Sequence, residues 1–491
     1  MVQRDFAHIR NAMETGTTNT LYESWVNRVD ISHLLGTRDI ANGQPLVSLL
    51  DSTVIDEIAR AALQPEGTLE RSYISPHLTL LLTLTNVRGV PYRLYTDPTA
   101  TPGENEPTAD EFTAYYGDQL RFEATTGNAA PLAPLAKPLP AGLPDAGAWP
   151  LLEQAAKATG AFPIVLAPRQ LTRDKGDYIQ PPWESTADEP HGAPPRPAWP
   201  AQPATLATLN VDGGVTDNNP FHLVDDLLFS LQNPRPEDGE NPAAASEANC
   251  AVLTVAPFPA TNKFEQEYDP QKASGIWSML GSLLDVLLSQ SRFMGESLGV
   301  LTEGAAFNRF VIAPSDPKQL KGSALQCGVL NAFGGFFYRG FRRHDFLLGR
   351  RNCQRFLRAH LCLPAHNRVI AAGLRNTGTY AGEVLKQFAV APPASQSTGN
   401  AVWIPLIPVL GTADAEVPSP AREQMPESQV DDVINQVLGR AKAIRPLLLA
   451  DAPGFLRWIA GIVLRWPFSI PIKGAIRSAL KTRLGENVAA G

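Results

Sequence analysis

The stretch Leu209-Asn210-Val211-Asp212-Gly213-Gly214-Val215-Thr216-Asp217-Asn218-Asn219-Pro220 constrains this chain more than any other. Thr205 to Val211 reads as a short buried strand. Asn219 suits the cap of a helix whose first position is Pro220. That helix carries Phe221, Val224, Leu227, Leu228 and Leu231 on one face. Asp212 therefore stands where a strand ends in a tight turn, and Gly213 and Gly214 allow positive φ or close backbone approach there. In an open α/β sheet, reactive groups collect at the carboxyl ends of strands. An Asp-Gly turn is also a common way for an aspartate to satisfy local backbone N–H groups, so a structural role stands beside a catalytic one.

Asp-Gly-Gly after a strand, followed by an Asn-Asn-Pro helix start, resembles the second catalytic motif of the patatin-like phospholipase family. Ala158-Thr159-Gly160-Ala161-Phe162-Pro163, closing a helix expected over Leu151–Gly160, resembles the family's helix near the active site. Small residues chosen only for close helix–sheet packing give the same pattern. The segment Phe341 to Cys353 resembles one found in a bacterial subset of the family. The resemblance implies an acyl hydrolase with a Ser–Asp dyad, acting on a lipid or other ester without a cofactor. Asp212 is then the base that takes the serine proton, and Gly213 and Gly214 shape its turn. The implied fold is α/β, a mixed, largely parallel sheet with helices on both faces. It lacks its first β-α units and carries a helical C-terminal extension.

The family places its serine upstream, in a Gly-x-Ser-x-Gly elbow, with a Gly-rich oxyanion loop further upstream. Neither precedes Asp212 here, so the resemblance implies an N-terminally incomplete chain, inactive by this mechanism as it stands. The literal match is Gly295-Glu296-Ser297-Leu298-Gly299, downstream of Asp212. A working elbow needs a strand before its serine, whereas Leu283 to Phe293 has helical spacing. Ser297 reads as a residue at a helix junction. It remains the nucleophile of a competing α/β-hydrolase reading, because Ser297, Asp345 and His360 or His366 follow that triad's chain order.

Composition narrows the remaining choices. The chain has 491 residues, 44% hydrophobic and 19% charged, which describes a globular protein of more than one ordinary domain. A net charge of -7 gives no nucleic-acid footprint. Cys250, Cys327, Cys353 and Cys362 lack paired metal spacing and suit a reducing compartment. Asp212, Asp217, Asn218 and Asn219 lack the alternating carboxylates of a calcium loop, so no metal is expected. The start shows no secretory apolar stretch, and no run suits a membrane span, which predicts a cytoplasmic protein. Two segments offer peripheral membrane contact. One is the basic run Arg339, Arg342, Arg343, Arg350, Arg351, Arg355 and Arg358, and the other is Phe455 to Phe468 with Lys473, Arg477, Lys481 and Arg483 beyond it. A solvated or internally paired face accounts better for the first, and a helix docked on the core accounts equally for the second. A catalytically silent lipid-surface protein is therefore the alternative from a different functional class.

Along the chain, Ser52 to Leu63 has helical spacing. His77 to Leu84 reads as a buried strand, turned at Asn86-Val87-Arg88-Gly89 into a hairpin partner over Val90 to Tyr95. Pro98 to Pro150, rich in Pro and Ala, predicts a surface excursion with little regular structure. Strands are expected over Cys250–Ala256 and Phe307–Ala313, and helices over Ile276–Leu301. Leu325–Leu361 reads as helical, interrupted at Gly334-Gly335 and Gly349. Ala413 to Pro426 reads as a linker. With these divisions the resemblance implies a partial acyl-hydrolase domain over 1–232, an extension over 250–412 and a helical tail over 427–491.

Overall fold

A computed structural model describes residues 22–43, 45–63, 75, 77–93, 112–125, 129–140, 147–178, 197–199, 202–231, 241–257, 279, 306–316, 324–328, 333–376, 378–393, 401–451 and 477–478. The chain packs as two units. One comprises Val47–Leu227 with Glu267–Leu298, and the other Met1–Leu46 with Leu228–Gln266 and Gly299–Gly491.

The unit that holds Asp212 is mixed α/β. Its elements are α1 (Thr53–Ala62), β1 (Thr79–Arg93), β2 (Phe112–Thr125), β3 (Lys137–Pro140), α2 (Trp149–Thr159), β4 (Arg169–Asp174) and β5 (Thr205–Asp212), after which α3 (Phe221–Leu231) begins. The strands lie in the order β3-β2-β1-β5-β4. β1 runs antiparallel to β2 and to β5, and β4 runs antiparallel to β5, while β2 and β3 are parallel. The sheet is thus mixed rather than largely parallel, a correction to the implied fold. A parallel neighbour needs a long crossover, usually a helix. β4 and β5 instead pair with each other across a connection that starts with the 3-10 turn Lys175–Tyr178.

Asn86-Val87-Arg88-Gly89 does not turn the chain. It is a bulge inside the 15-residue β1, where the register to β2 shifts between Thr85 and Val90. Asn86 Oδ1 accepts the Arg88 N–H at 3.1 Å, and Gly89 takes φ +74°, a conformation that a side chain would strain. The hairpin partner is β2, inside the region expected to lack regular structure. The prolines there flank a 14-residue strand that contains none.

The core of this unit joins Leu84, Leu120, Phe122, Leu139 and Leu171 of the sheet to Ala148, Leu152, Ala155 and Ala158 on and before α2. The two fully buried alanines let the helix lie close on the strands. The sheet also curls, so that its far strand returns toward its near ones. Arg173 on β4 donates to Asp118 Oδ2 at 2.9 Å and to the Gln119 carbonyl at 3.2 Å, both on β2. Lys137 on β3 reaches Asp177 at 3.0 Å and Asp174 at 3.4 Å.

Glu123 on β2 is a buried carboxylate with a structural task. Its oxygens accept the Leu132 N–H at 3.0 Å and the Ala133 N–H at 2.9 Å, and Oε1 lies 3.0 Å from His77 Nδ1. It thereby ties residues 129–136 to the sheet. Burial pushes its pKa up, but these donors outweigh that and hold it below the ordinary 4.5.

The second unit is built on α4 (Arg339–Ala359), which buries Phe341, Leu348 and Phe356. This helix runs unbroken through Gly349, so the interruption expected there does not occur. A single helical glycine costs only about 1 kcal/mol, which the apolar face on either side offsets. The parallel pair β6 (Val252–Val255) and β7 (Arg309–Ile312) packs with it, and Phe310 meets Phe356 at 5.6 Å between ring centroids. β8 (Cys362–Pro364) and β9 (Trp403–Pro405) form an antiparallel pair. α5 (Arg368–Asn376) and α6 (Ala381–Phe388) lie between them in sequence. α7 (Glu427–Asp451) buries Val430, Val433, Ile434 and Ile444, and its Arg440 grips both oxygens of Asp39 at 2.6 Å. Among the described residues no helix is long and apolar enough to cross a membrane. Phe455 to Phe468 and nearly all of Ile276–Leu301 lie outside the described residues.

Glu123→Gln places an amide donor against backbone donors and is expected to cost about 1–3 kcal/mol, read as a lower urea midpoint at pH 7. Because the native pKa is depressed, the carboxylate's contribution is complete above about pH 4.5 and is lost as pH falls through the lower native value. The variant should therefore lose part of the acid limb of the stability–pH curve.

Candidate active site around Asp212

β5 delivers Asp212 to its position. The strand alternates buried Leu206, Thr208 and Asn210 with exposed neighbours, and ends where Asp212 caps the 3-10 turn Gly213–Val215. Asp212 Oδ1 accepts the Gly214 N–H at 2.7 Å. This is the local Asx arrangement, and it leaves Oδ2 without a hydrogen bond among the described residues. Burial raises the Asp212 pKa above its ordinary 3.8, opposed only by the Gly214 N–H. The result is a half-buried carboxylate of increased basicity with one oxygen held and the other available.

The turn has no room for a larger residue. A Cβ on Gly213 would overlap the carbonyl and hydroxyl of Thr83 on β1. The same Thr83 carbonyl accepts the Thr159 hydroxyl at 2.7 Å, and Thr85 Oγ1 donates to the Asp212 carbonyl at 2.8 Å. The Asp212 N–H donates to the Ala161 carbonyl at 3.0 Å. The Ala158–Pro163 segment and the Asp-Gly-Gly turn, about fifty residues apart, are therefore in direct contact. Beyond the turn, the Pro220 carbonyl accepts the Val224 N–H at 3.2 Å, so α3 starts at Phe221 with Pro220 at the cap, one residue later than the Asn-Pro signal places it.

The structure adds a pair that the motif did not single out. Asp217 Oδ2 and His222 Nε2 lie 4.0 Å apart, and Asp217 Oδ1 and His222 Nδ1 are buried without a hydrogen-bond partner. Burial raises the Asp217 pKa, which His222 opposes. The available signal was an Asp and a His on either side of a helix cap, at a spacing that helical periodicity does not reveal.

The other candidate residues lie elsewhere. Ser297 and its flanking glycines fall outside the described residues. Asp345 lies in the other unit and is occupied: its oxygens accept the Gln326 and Cys327 N–H groups at 2.8 Å, and its histidine neighbour is His344, at 2.8 Å from Nδ1. The His360 ring stacks on Phe356. His366 has no hydrogen bond to Asp345. Among the described residues no group of three or more His, Cys, Asp or Glu side chains is arranged to hold a metal ion.

The chain is 29% identical over 497 residues to an uncharacterized protein, y4iI, of Sinorhizobium fredii (strain NBRC 101917 / NGR234). The match covers 91% of this chain and 65% of that relative, so the chain spans just under two thirds of the relative's length. No protein family matches the chain, and no solved structure matches it.

Two substitutions separate the turn's packing from its charge. Gly213→Ala should destabilise the unit by about 1–3 kcal/mol through overpacking, read as a lower urea midpoint. Asp212→Asn retains the acceptor for Gly214 and should be no less stable than the parent at pH 7. The native pKa is raised, so ionising Asp212 weakens the fold as pH rises above about 3.8. The Asn variant escapes that loss, and its advantage should vanish in thermal melts below about pH 3.8.

Proposed function

We propose that this chain belongs to the lineage of patatin-like lipid acyl hydrolases, with Asp212 as the base of a Ser–Asp dyad. The observation that carries the reading is the 3.0 Å bond from the Asp212 N–H to the Ala161 carbonyl. It joins the two motifs of the resemblance at one strand end. The antiparallel pairing around β5 departs from the implied sheet, so the reading rests on the motif geometry rather than on the fold.

The chemistry follows from the turn. Oδ2 of Asp212 takes the hydroxyl proton of a serine as the serine oxygen attacks the ester carbonyl. Gly214 N–H holds Oδ1 and so fixes the plane of the carboxylate. Desolvation makes Asp212 a stronger base than a solvated carboxylate. Collapse of the tetrahedral intermediate expels the alcohol, which takes the proton from Asp212. Water activated by the same carboxylate then releases the acid. The serine elbow and the oxyanion loop are not among the motifs that precede Asp212 in these 491 residues, and the test needs a form that carries the elbow upstream of it.

In such a form, Asp212→Asn should lower kcat for p-nitrophenyl ester hydrolysis by about 10²–10⁴-fold with unchanged circular dichroism. Ser297→Ala should be nearly silent. Retained turnover in the Asn variant, or coding DNA upstream that holds no Gly-x-Ser-x-Gly elbow, would remove Asp212 from this mechanism.

A further inference from the structure

Seven arginines lie between Arg339 and Arg358 on α4. Four have acceptors. Arg339 donates to Asn27, and Arg342 to the carbonyls of Val26 and Gly335. Arg343 pairs with Glu423 and Arg358 with Asp414. Arg351 differs: it is only 5% exposed, and its buried Nε and Nη1 make no hydrogen bond. No carboxylate pairs with it among the described residues. A guanidinium does not shed its proton to relieve burial, and an uncompensated buried charge is strongly unfavourable.

The surroundings of Arg351 are well defined. Gln354, one turn on, donates to the carbonyls of Ala413 and Ala415 at 2.6 and 2.7 Å and accepts the Val417 N–H at 2.9 Å. Arg343, two turns earlier, holds Glu423. The run from Ala413 to Glu423, expected to be a linker, therefore lies along α4, and Arg351 falls between its two anchor points. On the neighbouring side the Asn352 amide, with its oxygen and nitrogen exchanged so that both are satisfied, pairs with the Ser315 backbone at 2.9 Å. Ser419 Oγ donates to Asp316 Oδ1 at 2.9 Å, joining the two flanking segments and engaging that carboxylate. Arg350, half-buried, and Arg355, exposed, stand beside Arg351 without an ion pair among the described residues. Arg351 and Arg355, one turn apart, thus share a face of α4, with Arg350 next to Arg351 in sequence, in a chain of net charge -7.

We infer that Arg351, with Arg350 and Arg355, anchors an oxyanion site that takes a phosphate group. The unfilled donors of Arg351 call for an anionic acceptor, and the additional cations favour a doubly charged group over a carboxylate. The phosphate comes either from a soluble phosphate compound or from a lipid headgroup. The site is independent of Asp212 and its chemistry.

The test uses the full chain, purified without phosphate, and follows its thermal midpoint against inorganic phosphate, with chloride at matched ionic strength as control. A saturable rise with phosphate and not with chloride is expected. Arg351→Met should weaken the phosphate response about 10–100-fold, the loss of charge-assisted hydrogen bonds. It should unfold no earlier than the parent in phosphate-free buffer, because it removes an unpaired charge. Vesicles of phosphatidylcholine with and without phosphatidic acid separate the two sources. Co-sedimentation that requires phosphatidic acid and is lost in Arg351→Met assigns a lipid phosphate. A phosphate response without co-sedimentation assigns a soluble one. Should Arg351→Met fail to fold, the surface double variant Arg350→Gln/Arg355→Gln carries the test, with a several-fold weaker response expected. No phosphate response in the parent, or an undiminished one in the folded variants, overturns the site.

Discussion

The Asp212 unit depends on one buried cation. Arg173 is 1% exposed, yet its guanidinium is surrounded by acceptors: Asp118 at 2.9 Å, Asp177 at 3.2 Å and the Gln119 carbonyl at 3.2 Å. The Tyr178 hydroxyl donates to the same Asp118 oxygen at 2.8 Å, and the Arg173 guanidinium carbon lies 4.9 Å from the Tyr178 ring centroid. Removing one partner from such a buried pair typically costs about 3–5 kcal/mol. The network links β4 to β2 across the interior, so the order β3-β2-β1-β5-β4 is curled rather than flat. β5 is thereby fixed between β1 and β4, and its last residue, Asp212, is set against β1 and the end of α2. The position of the candidate base follows from a bridge more than thirty residues before it in sequence.

Much of this fold was legible in the sequence. The hydrophobic and small-residue patterns of β5, α2, β6 and β7 are local, and the elements lie within a residue or two of their expected bounds. The misreadings around β1 and β2 share one cause. Asn86-Val87-Arg88-Gly89 contains the residues of a turn, and a bulge demands the same residues, because both need a positive φ and a side chain that bonds its own backbone. Reading the turn hid β2, which is bracketed by proline-rich sequence. The expectation of a largely parallel sheet rests on the family resemblance and on no local pattern, and the pairing of β1 with β2 and β5 overturns it. Strand direction is a property of pairing between distant segments, and no local pattern reports it.

The candidate site divides in the same way. Asp212, Gly213 and Gly214 were visible because a glycine pair after a strand signals close backbone approach, and Thr83 supplies the reason. The link to Ala161 was suggested only by resemblance, since a backbone bond between segments fifty residues apart leaves no compositional trace. Asp217 with His222 is a different case: the two are five residues apart across a helix start, a spacing that helical periodicity does not reveal. On α4 the sequence showed seven arginines but not which of them lack acceptors. That distinction depends on where Glu423, Asp414 and the backbone of residues 413–417 fall along the helix.

We propose that Asp212 is a base whose serine is not supplied by this chain. The most direct test is labelling of the purified 491-residue protein with a fluorophosphonate, followed by peptide mapping, with ester hydrolysis measured in parallel. The account predicts no labelled serine and no turnover. A labelled serine with turnover, at Ser297 or elsewhere in these residues, would contradict it, because the chain would then carry its own nucleophile.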